Sequence, residues 1–185
     1  MTETENPPLR RTASQVVYEN RWMRVTEDAT VRDNGTTGIF GVVHKPDFAL
    51  VVPYDGTRVH LVEQYRYPVD GRFWEFPQGS WETKPDADPM DVARGELAEE
   101  TGLRAGSMTL LGHLYEAYGF SDQGFNVVLA SDLTQGERAL EESESDLRNG
   151  EFTLEEMWGL IASGQCKDAP SIAALALLQR HLSEA

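Results

Sequence analysis

Hydrophobic and polar residues in the N-terminal part of the chain follow a pattern that predicts strands. Four runs rich in β-branched and aromatic residues lie between Val16 and about Tyr67, and they read VVYENRWMRV, GIFGVVHK, FALVVPY and RVHLVEQYRY. The turn signal Asp33-Asn34-Gly35 precedes the second run, and Asp55-Gly56 separates the last two in the manner of a hairpin. We therefore expect the N-terminal half to be mostly sheet.

One helix is predicted over PMDVARGELAEET, because its start and its end both carry cap signals. Asp88 stands as the N-cap, Pro89 occupies the first helical position, and Gly102 stands where a C-terminal glycine cap belongs. A turn-rich stretch, PVDGRFWEFPQGSW, leads into this helix.

The C-terminal part of the chain predicts two strands, a loop and two helices. The strands are TLLGHLYEAYG and FNVVLASDL, and the acidic stretch LEESESD that follows is expected to be a surface loop. The helices are TLEEMWGLIASG, with Thr153 as cap and Glu156 three residues later, and SIAALALLQRHL, with apolar positions at helical spacing. This order of elements predicts an α+β fold, a sandwich in which helices flank a mixed sheet.

Composition narrows the class of protein further. With 185 residues, 40% of them hydrophobic and 25% charged, the chain can bury the core of one globular domain, which we place at residues 16–185. Residues 1–15 are polar, contain prolines and have no apolar core of a signal peptide, so a flexible tail is expected there. No run approaches the roughly 20 apolar residues of a membrane-spanning helix, so no membrane association is expected.

The net charge of −15 disfavours binding to DNA, RNA or an anionic membrane, because the chain repels phosphate backbones at long range. It does not disfavour small phosphorylated ligands, since a bound divalent cation can reverse the local field. The single cysteine, Cys166, cannot form an intramolecular disulfide, and this predicts a reducing, cytoplasmic setting.

Three carboxylates on the predicted helix are the candidates for chemistry. Glu96, Glu99 and Glu100 lie at i, i+3 and i+4, so they share one face within a turn. Like charges at this spacing destabilise a helix, and such a triple can also be no more than a solvated acidic face. Oxygen ligands that converge on one point suit Mg²⁺, which takes a few carboxylates together with waters and substrate phosphates.

The sequence around these glutamates resembles the Nudix box. That pattern is Gly, five residues, Glu, seven residues, and Arg-Glu-aliphatic-x-Glu-Glu-x-Gly-aliphatic, and the stretch from Glu96 to Leu103 matches every fixed position. WEFPQG, EQYRYP, GFSDQ and KDAPSIAALALL extend the similarity to the ADP-ribose pyrophosphatase branch of Nudix hydrolases. The resemblance implies an α/β/α sandwich, usually a homodimer, that uses Mg²⁺ or Mn²⁺ to cleave nucleoside diphosphates linked to another moiety.

The resemblance also implies roles for particular residues. Metal ions would be held by Glu96, Glu100 and the main-chain carbonyl of Gln78, with Glu99 nearby. These three glutamates are therefore the candidate catalytic residues. The candidate substrate-binding residues are Trp22, Arg66, Glu75, Gly79, Tyr118 and Gln123.

Three of these assignments have alternatives. Arg66 either clamps the diphosphate through its planar guanidinium or pairs with an acid at a strand end. Trp22 either stacks on adenine or packs in the core or at a dimer contact. Glu75 either reaches the metal cluster or a ribose, or pairs with Arg66 or Arg72.

The chain departs from the box in three ways. From Gly79 to Glu96 there are 17 steps where the pattern has 15, no glutamate matches the early Glu, which Asp86 or Asp88 could replace, and Gly95 stands in place of the arginine. Arg94 is adjacent, but one helical step rotates a side chain by about 100°. These changes affect the bracing of the box more than its metal ligands.

Two further differences concern mechanism and substrate. Relatives often carry a glutamate at Gln123 that acts on the attacking water, and an amide cannot accept that proton. The first candidate for the base is then Glu99, and the others are Glu116, Asp122, Glu144 and Asp146. Tyr118 stands where ADP-ribose enzymes typically carry proline, so the second moiety stays open.

The sequence therefore predicts a metal-dependent hydrolase of diphosphate-linked nucleotides, with water attacking phosphorus and ADP-ribose yielding AMP and ribose 5-phosphate. One alternative is another substrate: a nucleotide sugar, a dinucleotide or a nucleoside triphosphate. The other is a catalytically silent module of the same fold that binds a nucleotide, which Gly95 and Gln123 make conceivable.

Overall fold

The computed structural model describes residues 7–81, 83–84, 86–138 and 146–184. This part of the chain forms ten strands and three α-helices. The strands are β1 Leu9–Glu19, β2 Arg24–Arg32, β3 Thr37–His44, β4 Phe48–Pro53, β5 Arg58–Arg66, β6 Gly71–Glu75, β7 Gln78–Gly79, β8 Leu103–Tyr115, β9 Gly124–Gln135 and β10 Arg148–Thr153. The helices are α1 Pro89–Glu96, α2 Leu154–Ala162 and α3 Ala169–Glu184, with a 3₁₀ turn at Tyr67–Val69 and a π-helical turn at Leu97–Thr101.

The chain divides into two compact units. The first comprises Met1–Pro46 with Tyr115–Gln123 and contains the antiparallel sheet β1-β2-β3. The second comprises Asp47–Leu114 with Gly124–Ala185 and contains the sheets β10-β5-β6 and β7-β4-β9-β8 together with the three helices.

The central strand of the second unit is buried on both faces. In the mixed sheet, β4 runs parallel to β9 and antiparallel to β7. Ala49 and Val51 of β4 pack with α1, whereas Leu50 and Val52 pack with residues of α2 and α3. The continuous apolar run FALVVP is typical of a strand covered on both sides. The predicted α+β fold, with helices flanking a mixed sheet, is confirmed.

Local cap signals are confirmed at the helices. Thr153 Oγ1 accepts a hydrogen bond from Glu156 N (3.1 Å), and Glu156 Oε2 accepts one from Thr153 N (2.7 Å), which completes the capping box of α2. Within the described residues, no helix has the length and apolar character that crossing a membrane requires.

The strand predictions differ from the structure where side chains or distant partners redirect the chain. Val16–Val25 is not one strand, because Asn20 Oδ1 accepts hydrogen bonds from the amides of Trp22 and Met23 (both 2.9 Å) and turns the chain. The turn at Asp55-Gly56 forms, with an isolated bridge between Tyr54 and Val59, but β4 and β5 enter different sheets.

Other elements were not expected from the sequence. The turn-rich stretch before α1 contains β6 and β7, and β10 was not predicted. Residues 9–15, predicted as tail, belong to β1. Most of the predicted acidic loop LEESESD lies outside the described residues, and the domain limits 16–185 stay a prediction.

Cys166 lies in the core of the second unit, and burial raises the pKa of its thiol to about 11. We expect a disulfide reagent to modify native protein at pH 8 far more slowly than urea-unfolded protein, because only the thiolate reacts. The unfolded thiol, with a pKa near 9.0, loses its proton before the folded one does, so stability should fall as the pH rises from about 9 to 11. Equal modification rates for native and unfolded protein would contradict this placement.

Candidate active site

The helix that carries the three glutamates changes its winding where they lie. Asp88 caps α1 as predicted, with its side chain accepting a hydrogen bond from Met90 N (2.8 Å). The α-helix ends at Glu96, and the π-helical turn Leu97–Thr101 ends at Gly102, whose φ of 76° suits glycine. A π-helical turn contains more residues than an α-helical turn. Two side chains three residues apart therefore point in more different directions than they would in an α-helix. The predicted single helix over residues 89–101 is therefore two segments.

Glu96 and Glu100 form a buried acid pair against the segment Gln78–Gly79. Their exposed fractions are 7% and 1%. Gln78 N donates a hydrogen bond to Glu100 Oε2 (3.2 Å), and an added Cβ on Gly79 would lie 2.5 Å from Glu96 Oε2. Glu99 is only half-buried. The structure thus brings together four of the predicted residues, and Gly79 allows the close approach of one carboxylate to the backbone.

Arg66 and Glu75 form an ion pair in the same unit. Arg66 Nε donates to Glu75 Oε2 (3.0 Å), a second bond joins Arg66 Nη2 to Glu75 Oε1, and Gln64 Nε2 also donates to Oε1 (2.7 Å). Of the alternatives for Glu75, the pairing with Arg66 is the one observed. Arg72 instead binds Glu63.

Burial raises the pKa of Glu75, and the Arg66 guanidinium opposes that shift. Burial disfavours the charge on Arg66, but the carboxylates of Glu75, Asp168 and Glu100 outweigh it, so the pKa of Arg66 is raised. Arg66 therefore stays a cation among several acids.

Asp168 and Ser171 join this network and were not singled out from the sequence. Asp168 Oδ2 accepts hydrogen bonds from Ser171 N (2.9 Å), Ser171 Oγ (2.7 Å) and Gln78 Nε2 (3.2 Å). The local signal for Asp168 was its position before Ala169-Pro170 at the start of a helix. Its contact with Gln78, 90 residues away in sequence, had no such signal.

Gly95, which replaces the arginine of the box, lies against Trp81. An added Cβ at Gly95 would come within 2.7 Å of Trp81 Cζ2. Arg94 does not supply the missing brace, because its exposed side chain binds Asp91 (3.0 Å). The indole of Trp81 thus occupies the space that a side chain at position 95 would need.

Three predicted substrate-binding residues belong to the first unit. Trp22 is 47% exposed with the guanidinium of Arg21 4.0 Å from its ring centre, so it is not a core residue of the described chain. Tyr118 is exposed. Gln123 is buried, and its Nε2 donates to the carbonyl of Pro46 (2.7 Å).

Two of the other candidate bases are engaged with cations or histidine. Asp146 binds Arg72 through Oδ2, and Asp122 Oδ2 lies 2.5 Å from His44 Nδ1. Glu116 is exposed, and Glu144 lies outside the described residues.

The donor set of the acid pair fits a hard divalent cation. Within the described ranges, no group of three or more His, Cys, Asp or Glu side chains is arranged to hold a metal ion by itself. Mg²⁺ does not need such a cage, since it is usually held by one or two carboxylates with waters and phosphates. Gln78, whose backbone N–H binds Glu100, also has a buried side-chain oxygen, Oε1, that no donor in the described part of the chain reaches. Two buried carboxylates and an unsatisfied oxygen acceptor agree with a cation site.

The comparisons with known proteins identify the family. The Nudix domain model matches residues 43–175, and the model of a nucleoside diphosphate sugar hydrolase N-terminal domain matches residues 10–43. The chain therefore belongs to the Nudix family.

Similar proteins include two ADP-ribose pyrophosphatases. The Bacillus subtilis protein is 32% identical over 75% of this chain and 74% of its own length. The Mycobacterium tuberculosis protein is 31% identical over 72% of this chain, and the match spans 65% of that relative, a little under two thirds. The methanol dehydrogenase activator of Bacillus methanolicus is 29% identical over 90% of both chains.

A solved structure described as an ADP compounds hydrolase has the same fold. It superimposes with a TM-score of 0.85 over 97% of both chains, at 21% identity.

Proposed function

We propose that this protein hydrolyses the diphosphate linkage of nucleoside diphosphates joined to a second moiety, with ADP-ribose as the substrate. The observation that carries the proposal is the buried acid pair, Glu96 and Glu100, held against Gly79 and Gln78 N. Two buried carboxylates against one backbone segment are oxygen ligands of the kind that a hard divalent cation takes. The names of two relatives, both ADP-ribose pyrophosphatases, support the choice of substrate.

Glu96 and Glu100 would hold Mg²⁺ or Mn²⁺, with the main-chain carbonyl of Gln78 as a further oxygen ligand and Glu99 nearby. The bound ion would supply positive charge for the diphosphate and make a water molecule more acidic. Arg66 gives two of its donors to Glu75, and its side chain is 40% exposed, which leaves the remaining donors for a phosphate oxygen.

In the proposed reaction, a water oxygen forms a bond to one phosphorus and the P–O bond to the other phosphate breaks. The products from ADP-ribose are AMP and ribose 5-phosphate, and the proton of the water passes to a carboxylate. We assign that proton to Glu99, because Gln123 has no basicity and its amide already binds Pro46. Trp22 would stack on the adenine, Tyr118 would contact the second moiety, and Gln123 would orient the loop that carries both itself and Tyr118.

A substrate panel tests the proposed function. ADP-ribose, other nucleotide sugars, a dinucleotide and a nucleoside triphosphate are incubated with Mg²⁺ or Mn²⁺, and phosphate is measured after a coupled phosphatase. We expect the highest kcat/KM for ADP-ribose. Faster turnover of another compound would replace the substrate, and nucleotide binding without any turnover would make the chain a silent binding module.

Glu99→Gln is expected to lower kcat by about a hundredfold, because the amide cannot accept a proton. The measurement is kcat across pH at saturating metal, with Asp122→Asn, Glu116→Gln and Asp146→Asn as comparisons. If Glu99→Gln stays active and one of the comparison variants is inactive, the residue replaced in that inactive variant is the base and the assignment to Glu99 is wrong.

We also propose a homodimer in which the N-terminal strands around Trp22 contribute to the nucleotide site of the partner. Val16, Val17, Ile39 and Phe40 are exposed on the β1-β2-β3 sheet, and apolar side chains of this kind are typical of a covered surface. Light scattering at micromolar concentration should give about twice 20.7 kDa. A mass near that of one chain would reject the dimer.

The cytoplasmic setting stays a prediction.

A further inference from the structure

The Gln78 amide is held in one orientation by Asp168. A carboxylate only accepts hydrogen bonds, so the Gln78 nitrogen and not its oxygen faces Asp168 Oδ2 at 3.2 Å. The oxygen, Oε1, is therefore the atom left buried without a donor in the described part of the chain. The chemistry of Asp168 thus settles which end of the amide is available to a ligand.

Residues at the start of α3 also form hydrogen bonds to the residues on both sides of Pro77. Ser171 is fully buried, and its Oγ accepts a hydrogen bond from Phe76 N (2.8 Å) while it donates to Asp168 Oδ2 (2.7 Å). Asp168 then binds the side chain of Gln78, on the other side of the proline. Phe76 and Gln78, which flank Pro77, are consequently both bonded to one helix end.

The same segment contacts the acid pair on its other side. Gln78 N donates to Glu100 Oε2, and Gly79 lies directly against the Glu96 carboxylate. A displacement of Gln78 would therefore move the N–H that binds Glu100 and would change the position of the unsatisfied Oε1. Among the hydrogen bonds of this segment, Gln78 is the residue that joins Asp168 to Glu100.

We infer that Asp168 is a positioning residue for the cation site: it orients the Gln78 amide so that Oε1 is the oxygen acceptor left for a ligand, on the same residue whose backbone N–H binds Glu100. The inference rests on the proposed function in that it takes the acid pair as a cation site. It goes further in assigning a role to the side chain of Gln78 and to a residue at the far end of the chain. Outer residues that orient ligands typically change metal affinity by about tenfold or more when they are replaced.

The test is the affinity of the full chain for Mn²⁺ alone, measured by electron paramagnetic resonance of free Mn²⁺. Asp168→Asn keeps an oxygen that can cap α3 and changes the partner of the Gln78 amide, whereas Gln78→Met removes the amide and keeps the backbone N–H. We expect each variant to weaken Mn²⁺ binding by about tenfold. We expect the double variant to bind no more weakly than the weaker single one, because both changes remove the same interaction.

Ser171→Ala is the matched control. It removes the hydroxyl bonds to Phe76 and Asp168 and leaves the bond between Asp168 and Gln78. It should lower the thermal midpoint but keep the Mn²⁺ affinity within about twofold. If Ser171→Ala weakens Mn²⁺ binding as much as Asp168→Asn does, or if the effects of Gln78→Met and Asp168→Asn add, the inference is wrong.

The outcomes separate this inference from the proposed activity. Wild-type protein that binds Mn²⁺ and responds to the variants as expected, but releases no AMP from ADP-ribose, would reject the activity and support the positioning role. Turnover of ADP-ribose with unchanged Mn²⁺ affinity in both single variants would support the activity and overturn the positioning role. Wild-type protein without measurable affinity for Mn²⁺ would overturn it as well.

Discussion

Glu100→Gln and Glu96→Gln are each expected to lower the turnover of ADP-ribose by at least about a hundredfold while the fold stays intact. Each change would remove one charged oxygen ligand of the proposed metal site from a pair that is almost completely buried. Folding should persist because the repulsion between two buried carboxylates is relieved. The measurement is AMP release at saturating Mg²⁺, with circular dichroism and a thermal scan for each variant.

Glu155→Gln provides the control for this experiment. Glu155 is exposed in the first turn of α2, so the same chemical change there removes no buried ligand. Its turnover should equal that of the wild type. Rates near the wild-type value for Glu96→Gln and Glu100→Gln alike would reject the assignment of the acid pair as the metal site.

Gly79→Ala is expected to lower turnover by about tenfold to a hundredfold with little loss of stability. The new methyl group would lie 2.5 Å from Glu96 Oε2, 2.6 Å from Cδ and 2.8 Å from Oε1. These atoms are the end of a flexible side chain, so the carboxylate can move away at small cost to the fold. Its displacement would remove a ligand from the proposed metal site, and misplacement by about 1 Å can cost two orders of magnitude in rate.

Gly159→Ala is the control that separates an effect on the geometry of the site from an effect on the stability of the fold. An added Cβ at Gly159, in the exposed face of α2, meets no atom within 4 Å. It should raise the free energy of unfolding by about 1 kcal/mol, because alanine favours the helix, and leave turnover unchanged. A large stability loss in Gly79→Ala, with turnover per folded molecule preserved, would mean that Gly79 serves only packing.

The parts of the candidate site that follow from local sequence were predictable. Asp88 and Gly102 mark the ends of the acidic helical segment through side-chain capping and a left-handed φ, and both depend on near neighbours. The spacing of Glu96 and Glu100 then places both on one face. The π-helical winding was not predictable, since Leu97–Thr101 has the composition of an ordinary helix.

Contacts between distant parts of the chain were the main omission. Asp168 lies 90 residues from Gln78, and no periodicity or spacing links the two. The turn at Asp55-Gly56 was predicted from its own residues, but the separation of β4 and β5 into two sheets depends on β9 and β10, which come much later. Sequence patterns therefore predicted the turns and the helix ends, whereas the pairing of the strands could be identified only in the folded structure.

The charge and the burial of Glu75 together determine which residue it pairs with. A fully buried carboxylate needs a partner, and Arg66 lies nine residues earlier on the paired strand β5. The sequence also offered Arg72, because β6, the strand that carries both Arg72 and Glu75, was not predicted, and residues three apart on a strand face opposite sides of the sheet.

The fit between Trp81 and Gly95 bears on how parts of this protein can be exchanged with those of its relatives. A box transplanted from a relative with arginine at position 95 would bring a side chain into the volume that the indole fills, at 2.7 Å from Cζ2 for the first carbon alone. The longer loop that carries Trp81 and the helix that carries Gly95 would therefore have to be exchanged together. A chimaera with only one of them would have either a steric clash or a void beside the residue that precedes Glu96.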